Sequence, residues 1–342
     1  MSAVEIQRRL TISDVARQAG VSVATVSKVI NERYGVSAET ASRVQAVIAE
    51  LGYESSLVAR SLRSHQKNVI GILVADFEPF STELLKGAAH AIRGSGYEIV
   101  AYSASGAAEE LVGWERRYLS RLSGTLIDGA VLVTPTVVDA RYGTPVVAVD
   151  PHTGRSGMPT VDSDNLKGAM LATEHLLGLG HRRIGFLGGR LDLESARLRE
   201  EGYRNALVAA GVEIDPQLIR VGGYRPESAE QPARELLALD DPPTAIFAAN
   251  DLSAIRTMQV AQDLGLRVPE DLSVIGFDNV PESALAVPQL TTVAQPIQEM
   301  GYQAVRMLID LVEGRSPGQT HVSLPTELVE RQSCAPVRTR ES

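Results

Sequence analysis

At 342 residues the chain has room for two or three domains, each with its own core. Its 44% hydrophobic and 22% charged residues are those of an ordinary globular protein, and no apolar run approaches the roughly 20 residues of a membrane span. The single cysteine, Cys334, excludes an internal disulfide framework and a cysteine-built zinc site, and predicts a reducing cytoplasm. Residues 1–10 carry Glu5, Arg8 and Arg9 without an apolar stretch, so they do not read as a secretory signal. The net charge of −9 is unevenly spread. Residues 1–67 hold nine Lys/Arg against six Asp/Glu, a net of +3, which leaves −12 for the remainder. A small basic head on an acidic body suits a local contact with DNA rather than a surface coated by it.

The head reads as three short helices. The first follows the cap Thr11, with Ile12, Val15, Ala16 and Ala19 on one face and Asp14 placed to favour the positive helix end. Gly20-Val21 breaks it. Ser22 caps a second helix over 23–30, whose inner stripe is Val26, Val29 and Ile30. Ser37 caps a third over 37–51, with Ala41, Val44, Val47, Ile48 and Leu51 inward and Gly52 as its stop. Two short helices joined by Ala-Gly-Val and followed by a third form a helix-turn-helix, in which the second helix offers its N-terminal end to the major groove. A plain helical bundle is the competing reading, but it leaves the next segment unexplained. Residues 55–63, Ser-Ser-Leu-Val-Ala-Arg-Ser-Leu-Arg, are too few for a stable isolated helix. They fit a hinge that orders on DNA, with Leu62 wedged into a minor-groove base step and Arg60 and Arg63 on phosphates.

Thr11-Ile12-x-Asp14-Val15-Ala16, Ala19-Gly20-Val21-Ser22, Ala24-Thr25-Val26-Ser27-Lys28-Val29-Ile30-Asn31 and Ala59-Arg60-Ser61-Leu62 resemble the signature of the lactose-repressor/galactose-repressor (LacI/GalR) family, and the likeness continues across nearly the whole chain. The resemblance implies that Val23, Ala24 and Lys28 read bases, that Thr25, Ser27 and Asn31 hold the sugar-phosphate backbone, and that Ala59 and Leu62 are the minor-groove hinge residues. Thr11 and Ser22, the caps of the first two helices, join this DNA-binding set. Two positions depart from the pattern. Ser55-Ser56 stand where the family often has Pro-Asn, and Lys28 stands where Arg is frequent, which removes the planar fork that grips guanine.

Beyond residue 68 strand-like and helical runs alternate. Strands are predicted near 69–75, 98–102, 129–134, 146–149, 183–187, 244–248 and 273–277, and helices near 81–95, 109–122, 165–179, 195–210, 229–239, 252–264 and 297–313. Most of the strand runs are continuously apolar, hence buried on both faces, which predicts parallel α/β sheets with right-handed crossovers. About 275 residues exceed one such sheet, so two lobes are expected. The resemblance implies a two-lobe core like that of periplasmic binding proteins, with ligand between the lobes. The expected division is 9–54 for the DNA-binding domain and 55–67 for the hinge helix and linker. An effector-binding and dimerisation domain then fills 68–342, with one lobe near 68–161 and 292–320 and the other near 162–291 and 321–342.

In open α/β sheets ligands sit beyond the carboxyl ends of strands. That rule selects Asp150, Asn250-Asp251 and Asp278-Asn279, with Arg199 just into the helix after Gly188-Gly189. Carboxylates accept from vicinal hydroxyls, and Arg and Asn donate to ring and hydroxyl oxygens, as polyol recognition requires. Singly, each has a plainer reading: Asn250 or Asp251 as a helix cap, Arg199 as a surface residue like Arg197. The resemblance implies direct ligand contacts for Asp150, Arg199, Asn250 and Asp278. Phe77, Phe80 and Tyr224 are candidates for an apolar wall, while Trp114 reads as surface packing.

Enzyme-like signals fail. Gly185-Phe186-Leu187-Gly188-Gly189 lacks the spacing of a dinucleotide fingerprint, and the six histidines show no paired metal spacing, with His175 and His181 reading as surface and cap residues. No nucleophile elbow or triad is visible, so neither catalysis nor a cofactor or metal is expected. The expected protein is a homodimeric repressor on a pseudopalindromic double-stranded DNA operator, without membrane contact, released by a sugar or oligosaccharide inducer. A regulator that needs a purine-like co-repressor and a sugar receptor with no DNA role are the alternatives.

Overall fold

The computed structural model describes residues 10–30, 34–53, 67–104, 113–136, 142–152, 157–190 and 192–337, and the chain divides into two compact units, 1–67 and 68–342. In the first unit α1 (Ile12–Ala19) begins at Thr11, whose backbone N–H and hydroxyl both donate to the Asp14 carboxylate, at 2.9 and 2.6 Å. Gly20 ends the helix at φ 66°, a left-handed conformation that glycine adopts without penalty. α2 (Val23–Ile30) is capped by Ser22, which accepts from the Thr25 amide at 3.1 Å, and α3 (Ala38–Leu51) by Ser37, which accepts from Thr40 at 3.3 Å. Val15, Ala16, Ala19, Val26, Val29, Val44 and Val47 bury their side chains together. These are small side chains, each worth at most about 1.5–3 kcal/mol on burial, so caps of about 1 kcal/mol each matter to this unit.

The described strands of the second unit are β1 (Val69–Val74), β2 (Glu98–Ser103), β3 (Gly129–Val133), β4 (Val146–Val149), β5 (Thr160–Ser163), β6 (Ile184–Gly188), β7 (Ile219–Val221), β8 (Ala245–Ala248), β9 (Ser273–Asp278), β10 (Thr291–Ala294), β11 (His321–Leu324) and β12 (Glu327–Val329). Its helices are α4 (Pro79–Ala91), α5 (Trp114–Leu122), α6 (Asn165–Gly178), α7 (Glu194–Ala209), α8 (Pro226–Leu237), α9 (Asp251–Asp263), α10 (Pro281–Leu285) and α11 (Ile297–Val312). Two six-stranded sheets result, ordered β11-β5-β4-β3-β1-β2 and β12-β10-β9-β8-β6-β7, with every pairing parallel except β10 with β12. Every residue of β1, β3, β4, β6, β8 and β9 is buried, as their unbroken apolar runs predict, because helices cover both faces.

Each lobe is seamed by helices in backbone contact. A Cβ at Gly301 of α11 would sit 2.2 Å from the Leu84 carbonyl oxygen of α4, and one at Gly202 of α7 would sit 2.3 Å from the Leu166 oxygen of α6. Neither seam admits a side chain. In the first lobe Ile70, Ile72, Val131 and Val147 pack with Leu84, Met300, Val305 and Leu308. In the second, Phe186 stacks on Tyr203 at 5.0 Å and meets Phe247 edge-on at 5.3 Å.

The chain crosses between lobes three times: after β5 into α6, after β10 into α11, and after β11 into β12. Two of these differ from expectation. β10 pairs with β9 in the second sheet, so the second crossing follows residue 294 rather than residue 291. β11 pairs with β5, so His321–Leu324 belong to the first lobe rather than the second. Two side chains also differ from their sequence reading. Trp114 is 1% exposed, because the inner stripe of α5 continues through Leu119 and Leu122. His181 is buried, bonded to Thr244 (2.9 Å), Ser273 (3.0 Å) and the Ala335 carbonyl (3.0 Å), and so ties the C-terminal residues to the second sheet.

Candidate functional site

In the first unit the inner stripe of α2, Val26 and Val29, is buried, which turns Ser22, Val23, Ala24 and Lys28 outward. Val23 is 41% exposed. Ser22 and Thr25 hydroxyls bond each other at 2.9 Å, and Thr11 is held by Asp14. Ser27 is half-buried beside them. Asn31, Ala59, Arg60, Leu62 and Arg63 lie outside the described residues.

In the second unit the carboxyl ends of both sheets open on a cleft between lobes. Its outer chamber, about 460 Å³ including open solvent, takes Glu78, Pro79 and Phe80 from the first lobe. The second lobe contributes Ser195, Arg199, Tyr224, Asn250, Leu252, Asp278 and Val280. Arg199, 3% exposed, is gripped on several sides. Its Nε donates to Asn165 Oδ1 at 2.8 Å, and its Nη1 donates to the Ala249 carbonyl and reaches Asp278 Oδ1 at 3.4 Å. Its guanidinium lies 3.8 Å from the Phe277 ring centre and 5.6 Å from that of Tyr224. Asp278 Oδ1 also accepts from Gln295 Nε2 at 2.6 Å. Among the described residues Arg199 Nη2 and Asp278 Oδ2 make no hydrogen bond, which leaves one donor and one acceptor in the cleft.

Burial pushes the Asp278 carboxyl up to about 6, against the opposing pull of Arg199. Burial likewise raises Asp150 to about 7, with Arg199 and the Asn165 amide pulling it back and Asp162 and Asp278 pushing further. Glu78, at the rim, rises to about 7 through burial and the Asp278 charge. Asp150 lines a second chamber of about 1000 Å³ that includes open solvent, with Asp162, Asn165, Glu194, His321 and Ser323, on the side of the lobe crossings that hinge the two lobes. Ser195 lines both chambers. Non-glycine residues with left-handed backbone gather at these strand ends: Asp150 (φ 44°), Tyr224 (φ 70°), Asp278 (φ 110°) and Asn279 (φ 57°). Such strain persists where the surroundings over-determine it, as in a binding site.

The fold thus brings together Phe80, Arg199, Tyr224, Asn250 and Asp278, with Asp150 in the adjoining chamber. Phe77 is half exposed and lines neither chamber. Asn250 caps α9, accepting from Ser253 N at 3.0 Å while donating to the Tyr224 carbonyl at 3.0 Å, so its side chain is spent on the fold. Asp251 is similarly spent on Thr292 and the Val280 amide. Sequence reasoning missed Glu78, Asn165, Ser195 and Gln295. Asn165 and Gln295 follow β5 and β10, two strands absent from the sequence reading, and the strand-end rule applied there would have found both. The lobes also meet directly, through Arg225 with Asp76 (3.1 Å), His152 with Asp192 (3.1 Å) and the Glu194 amide with the His152 carbonyl (3.2 Å).

Among the described residues no group of three or more His, Cys, Asp or Glu could hold a metal ion, and no helix is long and apolar enough to cross a membrane. Residues 11–56 match the family model of the lacI family of bacterial regulatory proteins, and residues 173–334 match that of the periplasmic binding protein-like domain. The chain is 35% identical over 335 residues to the HTH-type transcriptional repressor PurR of Erwinia tasmaniensis, covering 95% of this chain and 97% of that one. Among solved structures it is similar to the transcriptional regulator CelR–cellobiose complex (TM-score 0.71, 32% identity, 95% of this chain and 100% of that one). It is also similar to the lac repressor dimer bound to operator and the anti-inducer ONPF (TM-score 0.81, 28% identity, 96% and 100%).

Proposed function

The chain belongs to the LacI family of bacterial DNA-binding transcriptional regulators, and from that premise we propose that it is a homodimeric repressor of carbohydrate-utilisation genes, released by a sugar or oligosaccharide in its cleft. The observation that carries this reading is the pair of buried groups at the cleft floor, Arg199 fixed by hydrogen bonds and Asp278 set on a left-handed backbone. Asp278 Oδ2 accepts from a sugar hydroxyl, Arg199 Nη2 donates to an oxygen, and Phe80 and Tyr224 offer apolar faces to the ring. The CelR structure, named for its cellobiose complex, supports a saccharide in the same kind of cleft.

Two heads on a dimer meet two half-sites one helical turn apart. Val23, Ala24 and Lys28 read base edges. Thr11, Ser22, Thr25, Ser27 and Asn31 fix the backbone, while Ala59 and Leu62 enter the minor groove beside Arg60 and Arg63. A sugar drawing the lobes together across Arg225–Asp76 and His152–Asp192 shifts the body to the geometry that disfavours the hinge. It must bind that geometry better, since equal affinity for both shifts nothing.

Operator selection from a duplex library at fixed salt, repeated with mono- and oligosaccharides, tests the proposal. One selected palindrome whose occupancy falls with one sugar is the expected result. Occupancy that rises with a ligand reverses the switch to a co-repressor, and the absence of any sequence preference removes the repressor altogether.

A further inference from the structure

We propose that the inducer is a neutral glycoside of two rings seated across both chambers, and that phosphorylated sugars are excluded; this rests on the inducer reading above. The two chambers differ in chemistry. The outer one sets Phe80, Leu252 and Val280 around a few polar groups, and suits the apolar face of a ring. The hinge-side one is walled by Asp150, Asp162, Asn165 and Ser323, and suits a ring that presents hydroxyls on every side. Arg199 joins them, with Nε held by hinge-side Asn165 and Nη1 directed at outer Asp278.

At the junction stands Ser195, in the first turn of α7, a helix whose Leu193 cap supplies no side-chain hydrogen bond. The buried Tyr224 hydroxyl faces the Ser195 side chain. A glycosidic or hydroxyl oxygen at that point would accept a hydrogen bond from Ser195 or Tyr224. A single ring in the outer chamber leaves Asp150 untouched. A ring on each side of Ser195 reaches both Asp278 and Asp150.

Charge decides against an anion. The α7 N-terminus contributes about half a positive charge and Arg199 one more. Glu78, Asp150, Asp162, Glu194 and Asp278 oppose them. Burial and neighbouring carboxylates hold Glu78 and Asp150 up at about 7, and the rim cations Arg190 and Arg225 are paired with Asp192 and Asp76. A phosphate dianion would therefore add charge to a cleft whose lining carboxylates already outnumber its one lining guanidinium.

The test is calorimetric titration of the full chain, with and without operator duplex. Cellobiose, maltose, lactose, adenosine and cytidine are the two-ring probes, glucose and ribose the one-ring probes, and glucose 6-phosphate and AMP the anionic ones. Ser323→Trp, an exposed position on β11, narrows the hinge-side chamber alone. One neutral two-ring probe should bind about 30-fold or more tighter than its component ring, and an anionic probe at least about 10-fold more weakly than its neutral counterpart. Ser323→Trp should cost the two-ring probe about 10-fold more than the one-ring probe. Whether a disaccharide or a nucleoside wins names the source of the glycoside. Equal affinity for one ring and two, preference for the phosphate, or an equal effect of Ser323→Trp on both overturns the inference. So does failure of every neutral two-ring probe while operator selection persists. Loss of operator selection itself sinks the repressor reading instead.

Discussion

The two walls of the cleft are built differently. The second-lobe wall is locked before any ligand arrives: Arg199, Asn165, Asp278 and Gln295 form one buried network, and Asn250 fastens the Tyr224 loop to α9. The first-lobe wall is loosely tied. Glu78 makes no side-chain hydrogen bond among the described residues, and Asp76 divides its carboxylate between the adjacent Phe77 amide and Arg225 of the other lobe. One wall is therefore a preorganised template, and the other is a jaw positioned by what lies between. Ligand binding free energy spent on drawing in the jaw is what a switch can transmit; contacts to the template fix identity and orientation.

The sharpest way to break this contrast is Arg199→Ala. It leaves Asp278 buried beside no cation and should cost about 3–5 kcal/mol of stability in denaturant melts, with Arg199→Lys a poor rescue because the ammonium lacks the planar fork. A mild effect would mean that the second wall is no template. Next, Asp278→Asn should weaken the inducer about 30- to 100-fold by calorimetry at a stability cost well below that of Arg199→Ala, since the amide keeps the shape and an acceptor oxygen while Arg199 stays bonded to Asn165 and Ala249.

Asp150→Asn should move stability in the opposite direction. The carboxyl titrates near 3.8 when exposed and at about 7 in the fold, so the native state holds the proton more tightly. Its contribution falls as pH rises from about 4 to 7. The asparagine variant should therefore be more stable than the parent by roughly 1–3 kcal/mol at pH 8, with the gap closing by pH 4, in thermal melts across pH. A pH-independent difference would place the effect in packing. Smallest is Arg225→Met. Its partners are more than half exposed, so the stability change should stay under about 1 kcal/mol. Apparent inducer affinity should shift by about threefold or less and lose part of its salt dependence.

Much of the body was legible because apolar runs such as Val69–Val74 and Gly129–Val133 have no other use than a doubly covered strand. The head was legible through its caps. Illegible were β5 (Thr-Val-Asp-Ser), β7, β10 (Thr-Thr-Val-Ala), β11 and β12, which are short, polar or at sheet edges and draw their order from neighbours rather than from pattern. The site inherited those gaps. Asp278 and Arg199 follow strands that announce themselves, whereas Asn165 and Gln295 follow strands that do not. Glu78 stayed hidden for another reason, since a glutamate before a helical proline reads as an ordinary helix start.

The threefold passage between lobes also sets an order of events during translation. The head has all of its core once Tyr53 has been made. The first lobe lacks α11 and β11 until residue 324, and the second lacks β12 and the His181–Ala335 tie until residue 335. At usual synthesis rates that interval is on the order of ten seconds to a minute, during which a finished reader of DNA hangs from an unfinished sensor. In the proposed homodimer, paired through the body, a chain without its finished body offers a lone head that meets just one half-site. Dimeric reading thereby keeps half-made, unregulated chains off the operator.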